Sequence, residues 1–139
     1  MSSIARRSAL VGQIGRFIVI GSLSAATDLG SYYLFTALGM HVGVAKGISF
    51  LLGMALGWVG NKFWTFASHK RDLAEPLTYL FWYAATLGLN VLVNAVSYWA
   101  LSTFLTDDWA KASAAILATG TSAIANFIGL RWIVFARRS

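Results

Sequence analysis

The sequence predicts an all-α integral membrane protein with four transmembrane helices, and three observations lead to this fold class. Of the 139 residues, 58% are hydrophobic and only 12% are charged, roughly half the charged fraction of ordinary soluble domains. The mean hydropathy is +0.66. Four apolar stretches each approach or exceed the roughly 20 residues that an α-helix needs to cross the hydrocarbon core of a bilayer.

The four helices follow one another with short loops, and we expect a single membrane domain over residues 1–139. Residues 1–15 are basic and rich in Ser and Gly, which predicts a mobile or interfacial lead-in that is retained and not cleaved. The helices are predicted at 16–38, 44–66, 77–106 and 112–135. Polar residues separate the two halves at 67–76, and Asp107-Asp108 is predicted to form a second outer loop.

The basic residues predict that both termini are cytoplasmic. With the N-terminus inside, only Lys46 and Lys111 lie outside, and the remaining cations are all cytoplasmic: Arg6, Arg7, Arg16, Lys62, Lys70, Arg71, Arg131, Arg137 and Arg138. The formal charge of +6 is therefore explained by helix orientation and contact with anionic lipid, without nucleic acid.

A short motif closes each half of the chain. Asn61-Lys62-Phe63-Trp64-Thr65-Phe66 and Leu130-Arg131-Trp132-Ile133-Val134-Phe135 each place an aromatic residue after a cation and a Phe-Ala pair four positions after it. The motif fits interfacial anchoring by Trp64, Phe66, Trp132 and Phe135, or a paired site for lipid phosphate. Together with the pairs Ala45-Lys46 and Ala110-Lys111, it indicates two parallel two-helix repeats, about 16–66 and 77–135.

One carboxylate, Asp28, falls near the middle of the first apolar segment. A charge at that depth costs on the order of 3 kcal/mol unless it is paired or protonated. We expect Asp28 to act in function or to join helix one to helix two through an ion pair. The small residues Gly53 and Gly57 predict close helix packing on the second segment.

The second half carries amides and hydroxyls at helical spacing. Thr86, Asn90 and Asn94 fall four residues apart, as do Ala118, Ser122 and Asn126. Two interpretations stay open: these side chains join helices to one another, or they line a path for a polar substrate.

Enzymatic chemistry is not predicted. The chain has no cysteine, and the sequence offers no nucleophile with a base, no carboxylate pair within the membrane and no cluster of metal ligands. We therefore expect no catalytic residues, no metal and no cofactor.

Several of these residues together resemble the GtrA-like family of small four-helix inner-membrane proteins. The resemblance is carried by Arg16-Phe17, Gly21, Asp28, Ala45-Lys46, Asn126-Phe127 and the two closing motifs. It implies work with polyprenyl-phosphate-linked sugars in cell-surface polysaccharide or O-antigen modification, usually by flipping the lipid-linked sugar across the bacterial inner membrane. Some members are thought to anchor or recruit other enzymes. Lys62 stands where the second motif has Arg131, so a phosphate contact there would be a point charge and not a bidentate fork.

Charge placement suggests how such a protein would work. Arg16, Lys62 and Arg131 would draw phosphate in at the cytoplasmic mouth, and Lys46 and Lys111 would take it near the outer end. Sugar hydroxyls would meet Asn90, Asn94, Ser122 and Asn126, and Asp28 would pair with Lys46 or exchange a proton. The alternatives are an anchor that recruits a glycosyltransferase and a proton-coupled exporter of small cations. Four helices make a thin wall, so we expect a homodimer.

Overall fold

The computed structural model describes residues 2–136, and their elements are helical. The helices are α1 Ser3–Ala37, α2 Val42–Gly60, α3 Ala74–Leu101 and α4 Asp107–Gly129. α2 and α4 each continue into a five-residue π-helical turn, the first π turn Asn61–Thr65 and the second π turn Leu130–Val134. Within residues 2–136, four helical spans are long and apolar enough to cross a membrane: Ser3–Ala37, Val44–Thr65, Ala74–Leu101 and Asp107–Val134. The all-α class and the four candidate spans are thus confirmed.

The chain divides into two compact units between Lys70 and Arg71. In the first unit α1 packs against α2 and the first π turn, and in the second unit α3 packs against α4 and the second π turn. Each unit is therefore a helical hairpin whose returning helix ends in a π turn.

The predicted start of helix one at residue 16 is wrong, because α1 already begins at Ser3. Ser2 caps the helix: its backbone is extended and its hydroxyl accepts a hydrogen bond from the Ala5 amide at 3.2 Å. Ala, Arg and Leu then favour the helix strongly enough to carry it through Gly12 and Gly15. At 35 residues α1 is roughly 50 Å long, well beyond a hydrocarbon core of about 30 Å.

The predicted loop at Asp107-Asp108 is also wrong. α3 ends at Leu101, and Asp107 and Asp108 form the first turn of α4 after the extended residue Thr106. Carboxylates are stabilised there by the free amides and the positive end of the helix dipole. α3 likewise begins earlier than expected, at Ala74, because Pro76 is tolerated in a first turn whose amides have no intrahelical acceptor.

The inner and outer surfaces of the hairpins differ in residue size. Ala45 and Ser49 on α2, and Ala114 and Ala118 on α4, are buried, whereas the exposed side chains include many large aliphatic residues. A membrane protein packs small residues between its helices and turns large apolar ones to lipid, so this distribution suits a bilayer.

Candidate functional site

The strongest candidate site is a polar cluster between α1 and α2, inside the apolar part of the first unit. The Lys46 ammonium lies 2.9 Å from both carboxylate oxygens of Asp28. The buried Ser49 hydroxyl donates a hydrogen bond of 2.8 Å to the same carboxylate. The Tyr32 ring lies 5.7 Å from the Lys46 ammonium. The expected pairing of Asp28 with Lys46 is therefore present, and Ser49 joins it.

Lys46 reaches away from the nearest end of its helix. Its backbone is in the second turn of α2, which begins at Val42. Asp28 packs at Gly53, where an added Cβ would lie 3.0 Å from the Asp28 Cβ. Gly53 is seven residues beyond Lys46, about 10 Å along the helix axis. A lysine near a membrane surface normally extends toward water, so Asp28 holds this one inward.

The cluster is only partly enclosed. The side chain of Lys46 is 54% exposed and that of Asp28 is 24% exposed. Exposure on a membrane span means exposure to lipid or to a wet groove, because no other described part of the unit covers it. An ammonium, a hydroxyl and a titratable carboxylate in this setting can bind an anion or hold a proton.

Two cations at the first closing motif, Arg16 from α1 and Lys62 within the motif, contact backbone carbonyls. Arg16 donates to the Trp64 carbonyl at 3.2 Å, with its guanidinium 5.9 Å from the Trp64 ring. Lys62 is buried at 5% exposure, and its ammonium donates to the Lys70 carbonyl at 2.7 Å. It also lies 5.0 Å from the Trp58 ring. Both cations offset the negative end of the helix, where carbonyls lack intrahelical partners.

The second closing motif forms the same kind of π turn as the first, but its side chains make different contacts. Arg131 is half-buried, and its guanidinium lies 5.1 Å from the Trp132 ring. Trp64 and Trp132 are exposed, as interfacial anchors should be, but Phe66 and Phe135 are buried. The expectation that these two Phe rings sit among headgroups is therefore wrong. They are packing residues, and Phe135 lies 6.5 Å from Tyr79, ring to ring.

The polar side chains predicted on α3 and α4 form hydrogen bonds with one another between the two helices. The Thr86 hydroxyl donates to the Asn126 side-chain carbonyl at 2.8 Å, and the Asn90 amide donates to the Ser122 hydroxyl at 3.0 Å. Asn94 is half-buried. These contacts are those of residues that join helices. A role toward substrate would require them to exchange partners.

Lys111 has a partner that sequence reasoning missed. It forms an i,i+4 ion pair with Asp107, and Asp107 also accepts a hydrogen bond of 2.6 Å from the Tyr98 hydroxyl. The four-residue spacing of Asp107 and Lys111 could have predicted this ion pair, but only if both residues had been assigned to a helix. Arg137 and Arg138, expected near the cytoplasmic surface, lie outside the described residues.

A family model described as the GtrA/DPMS transmembrane domain matches residues 16–135. The match covers most of the chain. The protein belongs to this family. It is also 27% identical over 123 residues to a relative described as uncharacterized membrane protein YngA, from Bacillus subtilis (strain 168), with 88% of this chain and 78% of the relative covered. The GtrA-like resemblance is thereby confirmed, for a multi-pass membrane protein with a bacterial homologue.

Within this GtrA/DPMS chain the two units share a plan that the contacts make visible. A glycine precedes each π turn, and a large side chain from the other helix of the hairpin packs against it. Ile20 packs against Gly60, and Trp82 packs against Gly129. Asp28 follows Ile20 by eight residues, and Asn90 follows Trp82 by eight. This chain therefore has an amide in the second unit at the position that corresponds to the carboxylate of the first.

The outer lysines are not equivalent in this plan. Lys46 precedes Lys62 by sixteen residues, whereas Lys111 precedes Arg131 by twenty. Lys111 therefore lies one helical turn farther from its closing motif than Lys46 lies from the first. The predicted match of Ala45-Lys46 to Ala110-Lys111 is thus shifted by a turn, and the buried Ala114 occupies the position of Ala45.

Proposed function

We propose that this GtrA/DPMS protein translocates a polyprenyl-phosphate-linked sugar across the cytoplasmic membrane of a bacterium, for synthesis or modification of cell-surface polysaccharide. The observation that carries the proposal is the partly exposed cluster of Asp28, Lys46 and Ser49 within a helical span. A charged residue in a membrane span marks a path for ions or substrate more often than not. Lys46 suits the phosphate of a lipid whose tail stays in the bilayer.

The proposed topology places both termini in the cytoplasm. Four spans joined by short loops alternate in direction, so the two hairpins would run parallel as two-helix repeats. Within the first unit, Arg16 contacts Trp64 at the end that the excess of basic residues assigns to the cytoplasm. Lys46 belongs to the opposite half of its hairpin, so phosphate would meet the closing cations first and Lys46 later.

The proposed path uses the contacts of each unit in turn. Arg16 is exposed and would attract the phosphate, with Lys62 and Arg131 contributing positive potential behind it. Sugar hydroxyls would exchange with the Asn90–Ser122 and Thr86–Asn126 hydrogen bonds, whose members can both donate and accept. Lys111 would assist release at the outer surface.

Reconstitution tests the proposal directly. Proteoliposomes containing only this protein would be loaded with a polyprenyl-phosphate hexose, and its transbilayer movement would be measured by the access of an impermeant sugar-modifying reagent. We expect movement with the wild-type chain and a loss of about tenfold or more in Lys46→Gln. Asp108→Asn, an exposed change at the first turn of α4, should move lipid at the wild-type rate.

A second candidate function is recruitment of a glycosyltransferase. It is favoured by the first four turns of α1, which precede the family match at residue 16 and expose Ile4 and Val11. If vesicles that hold folded wild-type protein show no lipid movement, transport is wrong and recruitment becomes the better proposal. Loss of a co-purifying glycosyltransferase on removal of residues 2–12 would then support it.

A further inference from the structure

We propose that Lys46 and Ser49 form a binding site for the phosphodiester of a lipid, and that Asp28 takes up one proton when this phosphodiester binds. The inference rests on the proposed function, since it specifies the ligand chemistry and the coupled ion of the same site. It starts from the inward direction of the Lys46 side chain.

The inner position of the Lys46 ammonium is an anion-binding position. The side chain ends on the carboxylate that also accepts from Ser49, about one helical turn farther along α2 than Lys46 and away from the water that a lysine normally seeks. No described residue other than Asp28 supplies a negative charge there. An ammonium remains at such a depth only while an anion is present, so a second anion can replace the carboxylate without moving Lys46.

The donors that hold the carboxylate also suit a phosphodiester. Both groups present two anionic oxygens on one central atom. Lys46 reaches both oxygens of Asp28 at 2.9 Å, and the Ser49 hydroxyl donates to one of them at 2.8 Å. Because more than half of the Lys46 side chain is exposed, a lipid phosphate can approach it from the side while its tail remains in the bilayer.

Charge balance links binding to a proton. The cluster is neutral, with one ammonium and one carboxylate. A phosphodiester monoanion would leave a net negative charge in a medium of low dielectric constant, where an uncompensated charge costs several kcal/mol. A proton from water, added to a carboxylate oxygen of Asp28 as an O–H bond, restores neutrality. Lys46 keeps its own proton, and no other bond forms or breaks.

Asp28 is the group that takes this proton because of what surrounds it. From α2 it faces the Lys46 ammonium and the Ser49 hydroxyl, and from α1 the Tyr32 ring lies against Lys46. Among the described residues, the hydrogen bonds and the ion pair of Asp28 come from Lys46 and Ser49, and neither is a second carboxylate or an imidazole. The other polar groups of the cluster, a phenol, a hydroxyl and an ammonium, act as hydrogen-bond donors, so the carboxylate is the group that can accept a proton.

Binding calorimetry on the full chain tests the inference. The chain would be purified in a maltoside detergent, which carries no phosphate, and titrated with a short-chain isoprenyl phosphohexose. This probe keeps one negative charge throughout, so its own titration does not interfere. Between about pH 8 and about pH 6, we expect Kd to fall roughly tenfold for each unit of pH. Buffers of different ionisation heat should report about one proton taken up per ligand.

Variants assign the proton to Asp28. In Asp28→Asn, which has no carboxylate to protonate, we expect binding that is independent of pH and tighter than that of the wild type at both pH values. Asp108→Asn removes the same charge from an exposed position and should keep the wild-type dependence. The double variant Asp28→Asn/Lys46→Gln leaves no unpaired charge, so it should fold and bind no probe. A Kd that is the same at both pH values in the wild type overturns the inference, as does proton-linked binding in the double variant.

Further titrations distinguish a sugar-linked lipid from an ordinary phospholipid as the ligand. They also distinguish failure of this inference from failure of the proposed function. Short-chain phosphatidylglycerol should bind at least tenfold more weakly than the phosphohexose, and inorganic phosphate should not compete. Equal, proton-linked binding of phosphatidylglycerol would support the site and contradict the sugar-lipid substrate. Lipid movement in vesicles that is unchanged in Asp28→Asn and independent of pH would support transport and overturn this inference.

Discussion

Lys62 shows how one side chain can carry two opposite interpretations. Its position before an aromatic residue at the end of a span suggests a cation among headgroups, yet it is buried and donates to the Lys70 carbonyl. The Ser68 amide in turn donates to the Lys62 carbonyl at 2.7 Å. Lys62 therefore closes the end of the first hairpin from both its backbone and its side chain.

We expect Lys62→Gln to lower the free energy of unfolding by about 2 kcal/mol, because a charged hydrogen bond at a buried site is lost. Arg16→Gln, at an exposed position with one carbonyl contact, should change it by about 0.5 kcal/mol or less. Thermal unfolding followed by circular dichroism in detergent measures both. Wild-type stability of Lys62→Gln with weakened lipid binding would instead restore the phosphate role.

Ala67 adopts a left-handed backbone conformation, with φ of +47°. This residue follows the first π turn and lets the Ser68 amide reach back to the Lys62 carbonyl, as glycine commonly does after a helix. Ala67→Gly should therefore raise the free energy of unfolding by roughly 0.5–1 kcal/mol. Ala84→Gly, in the interior of α3, should lower it by about 1 kcal/mol. A stability loss in Ala67→Gly equal to that in Ala84→Gly would contradict this explanation.

The sequence predicted the contacts of Asp28 better than those of Lys62, for a physical reason. A carboxylate inside an apolar segment has to find a cation, and Lys46 was the one cation within reach on the neighbouring helix. Lys62 stood at a segment end, where water, phosphate and backbone carbonyls all satisfy an ammonium. Only the loop conformation after the π turn decides among them, and that depends on the φ angle of Ala67.

At the scale of helices, the glycine before each π turn fixes how closely the hairpin closes. A Cβ on Gly129 would overlap the Trp82 ring, which is held by a hydrogen bond of 3.2 Å from its indole nitrogen to the Ala125 carbonyl. A Cβ on Gly60 would overlap its neighbour less, lying 2.5 Å from the Cδ1 atom and 2.9 Å from the Cγ2 atom of Ile20. The glycines at these equivalent positions therefore differ in how well the surrounding side chains would tolerate an added methyl group.

Gly129→Ala should destabilise the chain by about 1–3 kcal/mol through overpacking against Trp82, and Gly60→Ala should cost less. Gly120→Ala provides the matched control, because it lies in the same helix with open space around it. It should be neutral or stabilising by up to about 1 kcal/mol. Equal unfolding temperatures for Gly129→Ala and Gly120→Ala would show that Trp82 moves aside freely.

Helix existence was predictable here, and helix ends were not. The length of each apolar stretch predicts a span, but the ends of α1, α3 and α4 depend on local hydrogen bonds. Ser2 caps α1, and Thr106 precedes an acidic first turn of α4. The predicted match of Ala45-Lys46 to Ala110-Lys111 was displaced by one turn for a similar reason. The distance from the lysine to the closing motif is four residues longer in α4 than in α2.

For the whole molecule, the proposed topology makes a prediction that the composition allows to be tested cleanly. The chain has no cysteine, so a single introduced thiol is the one site for a maleimide. His69 lies exposed in the loop after the first π turn, and Thr103 lies exposed between α3 and α4. With both termini cytoplasmic, these two positions face opposite sides of the membrane.

In intact cells we expect Thr103→Cys to react with a membrane-impermeant maleimide and His69→Cys to stay unmodified until the membrane is opened. The physical reason is the charge bias: Lys62, Lys70 and Arg71 cluster at one end of the first hairpin, and basic loops resist translocation. Both variants should react fully in detergent, which controls for burial of the thiol. The reverse pattern would invert the topology and put Lys46 on the cytoplasmic half, so that it would receive phosphate first and not last. Labelling at both positions would mean that the chain inserts in two orientations, and the order of contacts along the path would then differ between copies.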